Sequence, residues 1–385
     1  MCNNIDNKIE IVIEKEKYVS NRKIEVFQYN TKLAIQKMPK VIWISNLRVF
    51  ATLTVIMLHC AAGGIYLLGK IPNSWWWICN ASNAFGRFAV PIFVMLSGYL
   101  LLGKYKNLTD FLTKRFFRIF IPFLLWTIIF MVWGNYFGII PAEKTKFEFI
   151  DILKKILTGG AGGSGHLWFV YMLLGLYLFS PVVSRWIMHA TDQEVKYFLI
   201  MWLVTCTIYP YFEKFLSIKI NFEIRYFSGY LGYFVLGYFL GNLQINLSSK
   251  KVGIIASAVF LISWIITFVG IYFSTISNNK TYEASLYDYL SPSVIMMSIS
   301  AFLAFKNLLN IEIFPAFTAQ LDKYSYGMYL MHLIPMKTLS RQFYINFKWI
   351  HPSIGITTQF ILTTIICYLV IFILSKIPKS SWITG

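Results

Sequence analysis

Residues 44–60 read ISNLRVFATLTVIMLHC, an apolar run broken by one arginine, Arg48, and one histidine, His59. With its flanks the run reaches the roughly 20 residues that cross a bilayer as a helix. Runs of this kind recur along the chain, near 46–69, 83–103, 119–140, 167–184, 197–212, 227–243, 252–273, 290–306, 325–340 and 357–376. Between them stand charge, glycine and proline, which punctuate membrane spans. The 385 residues are 57% hydrophobic and 18% aromatic, with only 14% charged and a mean hydropathy of +0.59. Soluble domains carry about 25% charged residues. The expected fold is therefore all-α, a polytopic membrane protein of about ten transmembrane helices with both termini cytoplasmic.

Charge supports that orientation. Lysine and arginine outnumber aspartate and glutamate by 35 to 17, for a net charge of +18. With the N-terminus inside, 21 basic residues fall in cytoplasmic segments and 12 outside, leaving Arg48 and Arg87 within spans. The bias follows the positive-inside rule, and it comes from residues 1–40 and from the connection holding Lys104, Lys106, Lys114, Arg115 and Arg118. Basic residues dispersed among short connections point to the lipid bilayer as partner and away from nucleic acid. Residues 1–40 are polar, without the apolar core of a signal peptide, and read as a cytoplasmic tail; 377–385 read as a second, short one. Cys2, Cys60, Cys79, Cys206 and Cys367 are odd in number and scattered, so they outline neither a disulfide framework nor a thiolate metal site. The glycine-rich TGGAGGSGH at 158–166 lacks the Gly-Lys-Ser/Thr ending of a phosphate-binding loop and reads as a flexible connection.

An ionisable residue inside a span is expensive and therefore a functional candidate. Among the ionisable residues in the spans, four are candidates: Arg48, His59, Arg87 and His332. Arg48 and His59 are eleven residues apart, and eleven helical steps of about 100° return to within about 20° of one direction, about 16 Å along the axis. One face thus carries a cation at the cytoplasmic mouth and an acid/base group near mid-membrane, as a cleft for an anionic ligand would require. Arg87 reads either as a site residue or as an arginine snorkelling to the interface. In KRFFRIFIP, residues 114–122, Arg115 and Arg118 are one turn apart and with Lys114 form either a phosphate clamp or a positive-inside anchor. Ser97 in LSGYLL reads as part of a Ser-Gly helix-packing contact or, less simply, as a nucleophile. Neither a metal-binding histidine spacing nor a GxSxG elbow occurs, so no metal is expected.

Together these stretches resemble the acyltransferase-3 family of bacterial membrane O-acyltransferases. The resemblance rests on Arg48 and His59 with ten residues between them, RFAVPIFVMLSGYLL (87–101), KRFFRIFIP, HLWFVYMLLGLYLFSPVV (166–183), FSGYLGYFVLGYFLG (227–241) and YSYGMYLMH (324–332), spanning residues 41–376. RFAVP and HLWF are most similar to the surface-polysaccharide subgroup; tyrosine at position 99 departs from the phenylalanine of many relatives. Some relatives carry an appended hydrolase-like domain, which this sequence is expected to lack. The resemblance implies a bacterial cytoplasmic-membrane enzyme that moves an acyl group, usually acetyl, from acyl-CoA to a hydroxyl of an envelope glycan. Acyl-CoA would be a substrate, with no permanently bound cofactor, and the resemblance sets no oligomeric state. His59 would be the general base, or would carry the acyl group covalently, and Arg48 would orient the donor. Lys114, Arg115 and Arg118 would hold the CoA phosphates; Arg87, Ser97, His166 and His332 would meet the acceptor or line its cavity. The alternative reading is a membrane transporter or exporter of a glycan precursor or a small amino acid. CoA binding separates the two.

Overall fold

A computed structural model describes residues 41–104, 107–136, 149–158, 164–208, 210, 229–279, 281–312, 314–378 and 380–384. The expected N-terminal tail, Lys106, half of the connection at 141–166 and all of 211–228 lie outside the described residues. Every regular element among the described residues is helical. Seven helical stretches are long and apolar enough to cross a membrane: Ile42–Leu67, Asn73–Leu101, Leu108–Gly134, Gly165–His189, Ser249–Ser277, Ser285–Leu308 and Pro352–Leu374. The protein is an all-α polytopic membrane protein.

We number the helices α1 Ile42–Ala61, α2 Asn73–Gly86, α3 Ala89–Leu101, α4 Phe117–Tyr136, α5 Phe149–Thr158, α6 Trp168–His189, α7 Asp192–Leu203, α8 Gly229–Asn242, α9 Ser249–Ser277, α10 Pro292–Leu308, α11 Pro315–Met331, α12 Leu333–Gln342 and α13 Pro352–Leu374. Three of the ten expected spans, the fifth, sixth and ninth, are not among these seven. Fourteen residues of α8 make about 21 Å of helix, less than the hydrocarbon thickness. The fifth ends, within the described residues, in α7 and a π-helical turn, Val204–Ile208. The ninth is two helices, α11 and α12, meeting at His332. Hydropathy reads composition along the chain, whereas a short or broken helix is tolerated in a membrane when protein neighbours cover it.

Proline explains the breaks. Its ring crowds the carbonyl four residues earlier and it has no N–H to offer that carbonyl. Pro335 stands four residues after Met331, and the helix breaks at His332. Pro91 stands four after Arg87, where α2 gives way to α3. Pro122 stands four after Arg118, inside α4 and just beyond a π-helical turn over Leu112–Phe116.

The outer and inner surfaces of the bundle differ as a bilayer demands. On α9, Ile254, Ile255, Leu261, Ile262, Ile265 and Ile266 are exposed and form the lipid face, while Leu47, Ala51, Ile56 and Ala61 of α1 are fully buried. Threonines on α1 satisfy their hydroxyls within their own helix, Thr52 donating to the Arg48 carbonyl at 2.9 Å and Thr54 to Phe50 at 2.7 Å. Among the described residues, α3 and α8 cross at backbone contact. A methyl group added to Gly98 would overlap the Phe234 carbonyl, and one added to Gly237 would overlap that of Met95. Glycine lets the two backbones touch, which is how membrane helices pack without a hydrophobic driving force. The expected tail at the C-terminus folds back: the Ile383 carbonyl accepts from Trp126 Nε1 at 3.0 Å, and Ser380 and Thr384 are buried.

Lys306, near the end of α10, closes the end of α8. Its ammonium donates to the carbonyls of Leu240, Gly241 and Leu243 at 2.9, 2.8 and 3.1 Å. Those carbonyls belong to a helix C-terminus, which carries partial negative charge and lacks intrahelical donors. Lys306→Met keeps the stem but removes the donors. The expected outcome is a lower Tm in detergent, a loss of roughly 1–3 kcal/mol as for unsatisfied buried carbonyls, with ligand-induced stabilisation unaffected.

Candidate active site

Arg48 and His59 lie on α1 as the spacing predicts, and each has acquired company from distant sequence. Arg48 Nη1 is 2.6 Å from Asp322 Oδ1, and Ser45 donates to Asp322 Oδ2 at 2.9 Å. Asp322 is only 9% exposed at its side chain, so this carboxylate fixes the guanidinium rather than merely decorating the surface. Sequence reasoning passed over Asp322 because it precedes its span and pairs across 274 positions. One signal was available: no aspartate or glutamate follows it in the chain.

A cavity of about 330 Å³ opens beside this pair. Its polar lining is basic, with Arg48, Arg115, Arg118 and Lys323 against the single carboxylate of Asp322. The deeper lining is aromatic and aliphatic, including Phe93, Phe169, Tyr177, Tyr326 and Tyr329. Arg115 and Arg118 therefore face one space, and the π-helical turn with Pro122 beyond it accompanies this unusual placement. Lys114 does not share it. Its ammonium pairs with Asp110 at 3.0 Å, and both side chains are well exposed. Lys104, in the connection after α3, stands near the same group: burial, then the Arg115 charge, lower its pKa from the ordinary lysine value. Ser97 lines the cavity on the Arg48 side, accepting from Tyr177 Oη at 3.4 Å.

His59 meets His166 and His332, which the fold brings from α6's entry and from the α11–α12 break. The ring centroids are 6.4 Å apart for His59 and His166, 5.1 Å for His59 and His332, and 4.8 Å for His166 and His332. The break makes this possible. Two carbonyls in the last turn of α11 accept from the imidazoles. His332 Nδ1 donates to the Tyr329 carbonyl at 2.6 Å and His166 Nε2 to the Leu330 carbonyl at 3.0 Å. Tyr329 in turn donates its hydroxyl to the His166 carbonyl at 2.6 Å. Because Tyr329 also lines the basic cavity, its ring forms the partition between that cavity and the histidines.

Arg87 sits at the α2–α3 break. Its guanidinium lies 4.1 Å from the centre of the Tyr287 ring, donates to Asn83 Oδ1 through Nε at 3.1 Å and again through Nη2, and reaches the Tyr287 carbonyl at 3.4 Å. Asn83 also donates to the Leu58 carbonyl at 3.3 Å, the peptide next to His59. Arg87 thus braces the backbone behind His59, with a cation–π contact adding to the hold.

Chemically, the arrangement offers an anion a basic vestibule and offers a proton three imidazoles beside its Tyr329 wall. A family model described as an acyltransferase domain matches residues 41–376, which takes in every residue of both clusters. Neither the curated proteins nor the solved structures contain a match to this chain.

Proposed function

The chain belongs to the acyltransferase-3 family of membrane acyltransferases, and on that premise we propose that it transfers an acetyl group from acetyl-CoA to a hydroxyl of an envelope glycan in the bacterial cytoplasmic membrane. The observation that supports this reading is that Tyr329 borders both the basic cavity and the histidine cluster. Acetyl-CoA is a long thioester whose phosphates lie at one end and whose reactive carbonyl lies at the other. Arg115 and Arg118 suit the phosphates, because guanidinium groups bind them by paired, charge-assisted hydrogen bonds. Arg48, held by Asp322, stands farther along the same path. The arm between the two ends would lie along the apolar lining.

At the far end His59 takes the proton of the acceptor hydroxyl as its oxygen attacks the thioester carbonyl. The tetrahedral intermediate collapses with cleavage of the C–S bond. The proton on His59 passes to the departing thiolate, leaving an ester and free CoA.

Binding of CoA tests the reading and separates Arg115 and Arg118 from Lys114, which sequence alone places together. Saturating CoA should raise the Tm of the purified protein, by about 2.7 kcal/mol of stabilisation at a hundred times Kd. Arg115→Ala and Arg118→Ala should each weaken CoA binding by roughly tenfold or more, the worth of a charge-assisted hydrogen bond. Lys114→Ala should leave it unchanged, since that side chain points to Asp110. No stabilisation of the unaltered protein by CoA would remove the enzyme reading, and flux of a glycan precursor in vesicles would then favour transport. The acceptor is found by comparing envelope glycans from cells with and without the protein, for a loss of one acetyl mass.

A further inference from the structure

The four cations that line the basic cavity are not equivalent. Arg48 is half-buried and pairs with Asp322 at 2.6 Å, so its charge is matched by the one carboxylate in the lining. Arg115, Arg118 and Lys323 are exposed, and none has a carboxylate partner among the described residues. They stand on two walls. Arg115 and Arg118 lie where the π-helical turn runs into α4, whereas Lys323 belongs to α11. The walls are tied together beside these cations: Tyr326, one turn after Lys323, donates its hydroxyl at 2.8 Å to the carbonyl of Ile119, the residue after Arg118. The Lys323 ammonium lies 5.3 Å from the centre of the Tyr324 ring. At an exposed site such a contact is weak, so the long stem readily exchanges it for an anion.

Size and charge place a ligand across this mouth. Drug-sized ligands fill about 300–1,000 Å³, and CoA is larger than most of them. A cavity of about 330 Å³ takes the pantetheine arm and leaves the nucleotide among the three exposed cations. That nucleotide carries phosphate in two places, a diphosphate on the 5′ side of its ribose and a monophosphate on the 3′ side. Two guanidiniums one turn apart suit the diphosphate. The monophosphate needs a cation from another direction, and an ammonium on a flexible stem serves a phosphate as a point charge. We propose that Lys323 binds the 3′-phosphate of CoA from the wall opposite Arg115 and Arg118, and so makes the protein select CoA thioesters over thioesters that lack this phosphate. This rests on the acyl-CoA reading above and adds to it a donor specificity that neither arginine supplies.

CoA and 3′-dephospho-CoA differ by that phosphate alone and are the probes, titrated calorimetrically into the full-length protein in lipid nanodiscs. The unaltered protein should bind CoA about tenfold or more tighter, the worth of a charge-assisted hydrogen bond. Lys323→Met keeps the stem and removes the charge; it should bring CoA down to the affinity of dephospho-CoA and leave the affinity for dephospho-CoA as it was. Lys323→Arg should retain most of the preference. Arg118→Ala should weaken both probes by the same factor, since both carry the diphosphate. Lys323 is exposed, so its variants should fold, with an unchanged ligand-free Tm as the control. Equal affinity of the unaltered protein for the two probes overturns the inference and leaves the acyl-CoA reading standing. So does a preference that survives in Lys323→Met, or one erased instead by Lys104→Met, the other lysine near Arg115. Binding of neither probe removes the acyl-CoA reading itself, and this site with it.

Discussion

His59→Ala should abolish acyl transfer while leaving a folded protein that still responds to CoA. General-base catalysis is worth about 10²- to 10⁴-fold, and with no water-accessible substitute in a protein-lined membrane core the loss should lie at the upper end. The fold should survive because alanine is the best helix former and because α1 is fixed elsewhere. Asn46 Nδ2 donates to the carbonyls of Leu309 and Ile311 at 2.8 and 3.0 Å, and Leu47, Ala51 and Ile56 are buried against neighbours. CoA binding should survive because Arg115 and Arg118 lie in the other compartment, across Tyr329. The measurements are ester formation on the acceptor glycan and the CoA-dependent rise in Tm. Turnover near that of the unaltered protein would end the role given to His59. A His59-linked acyl group, trapped from radiolabelled acetyl-CoA without acceptor, would instead show that the imidazole carries the acyl group before passing it on.

Gly98→Ala should have the largest effect on the fold. A single methyl at that position meets the Phe234 main-chain carbonyl, and the reciprocal contact joins Gly237 to the carbonyl of Met95. Overpacking costs typically 1–3 kcal/mol when side chains can yield. Here the obstacle on both sides is backbone, so the helices must separate and the loss should reach or exceed the upper figure. Separation opens the wall that carries Ser97 and disturbs the cavity, so CoA binding should fall too. Gly237→Ala should behave alike, and the double variant should be little worse than either single one, since once the helices part the second methyl meets nothing. Ser97→Ala, one residue away, should cost only about 0.5–1.5 kcal/mol, the worth of the Tyr177 hydrogen bond it loses. Monodispersity on gel filtration and Tm decide it; a Gly98→Ala protein as stable as the original would show that this crossing has slack.

Residues on one helix were legible in the sequence and residues on different helices were not. The arginine-to-histidine spacing on α1 converts directly into a shared face, because helical geometry is local. Asp322, His166 and His332 reach that face only through tertiary packing, and no periodicity along the chain encodes it. The apolar runs disclosed an all-α membrane bundle, since transfer of side chains into hydrocarbon depends on composition. They misjudged the form of the ninth run, because His332 looked like a polar residue inside a span when it stands at the end of one. The proline signal was in plain view: RFAVP, RIFIP and MHLIP each place a proline just past an ionisable residue. In KRFFRIFIP the opposite correction applies, as adjacency in sequence joined Lys114 to Arg115 and helix rotation parted them.

The break at His332 also sets what can be altered independently. Pro335 has no N–H for the Met331 carbonyl, the helix breaks at His332, and the carbonyls of Tyr329 and Leu330 just before the break orient both imidazoles. A substitution that healed the helix would shift those carbonyls, and the rings they hold would move with them. To anyone redesigning this protein, the proline and the two histidines are therefore a single component, to be transplanted whole or left alone.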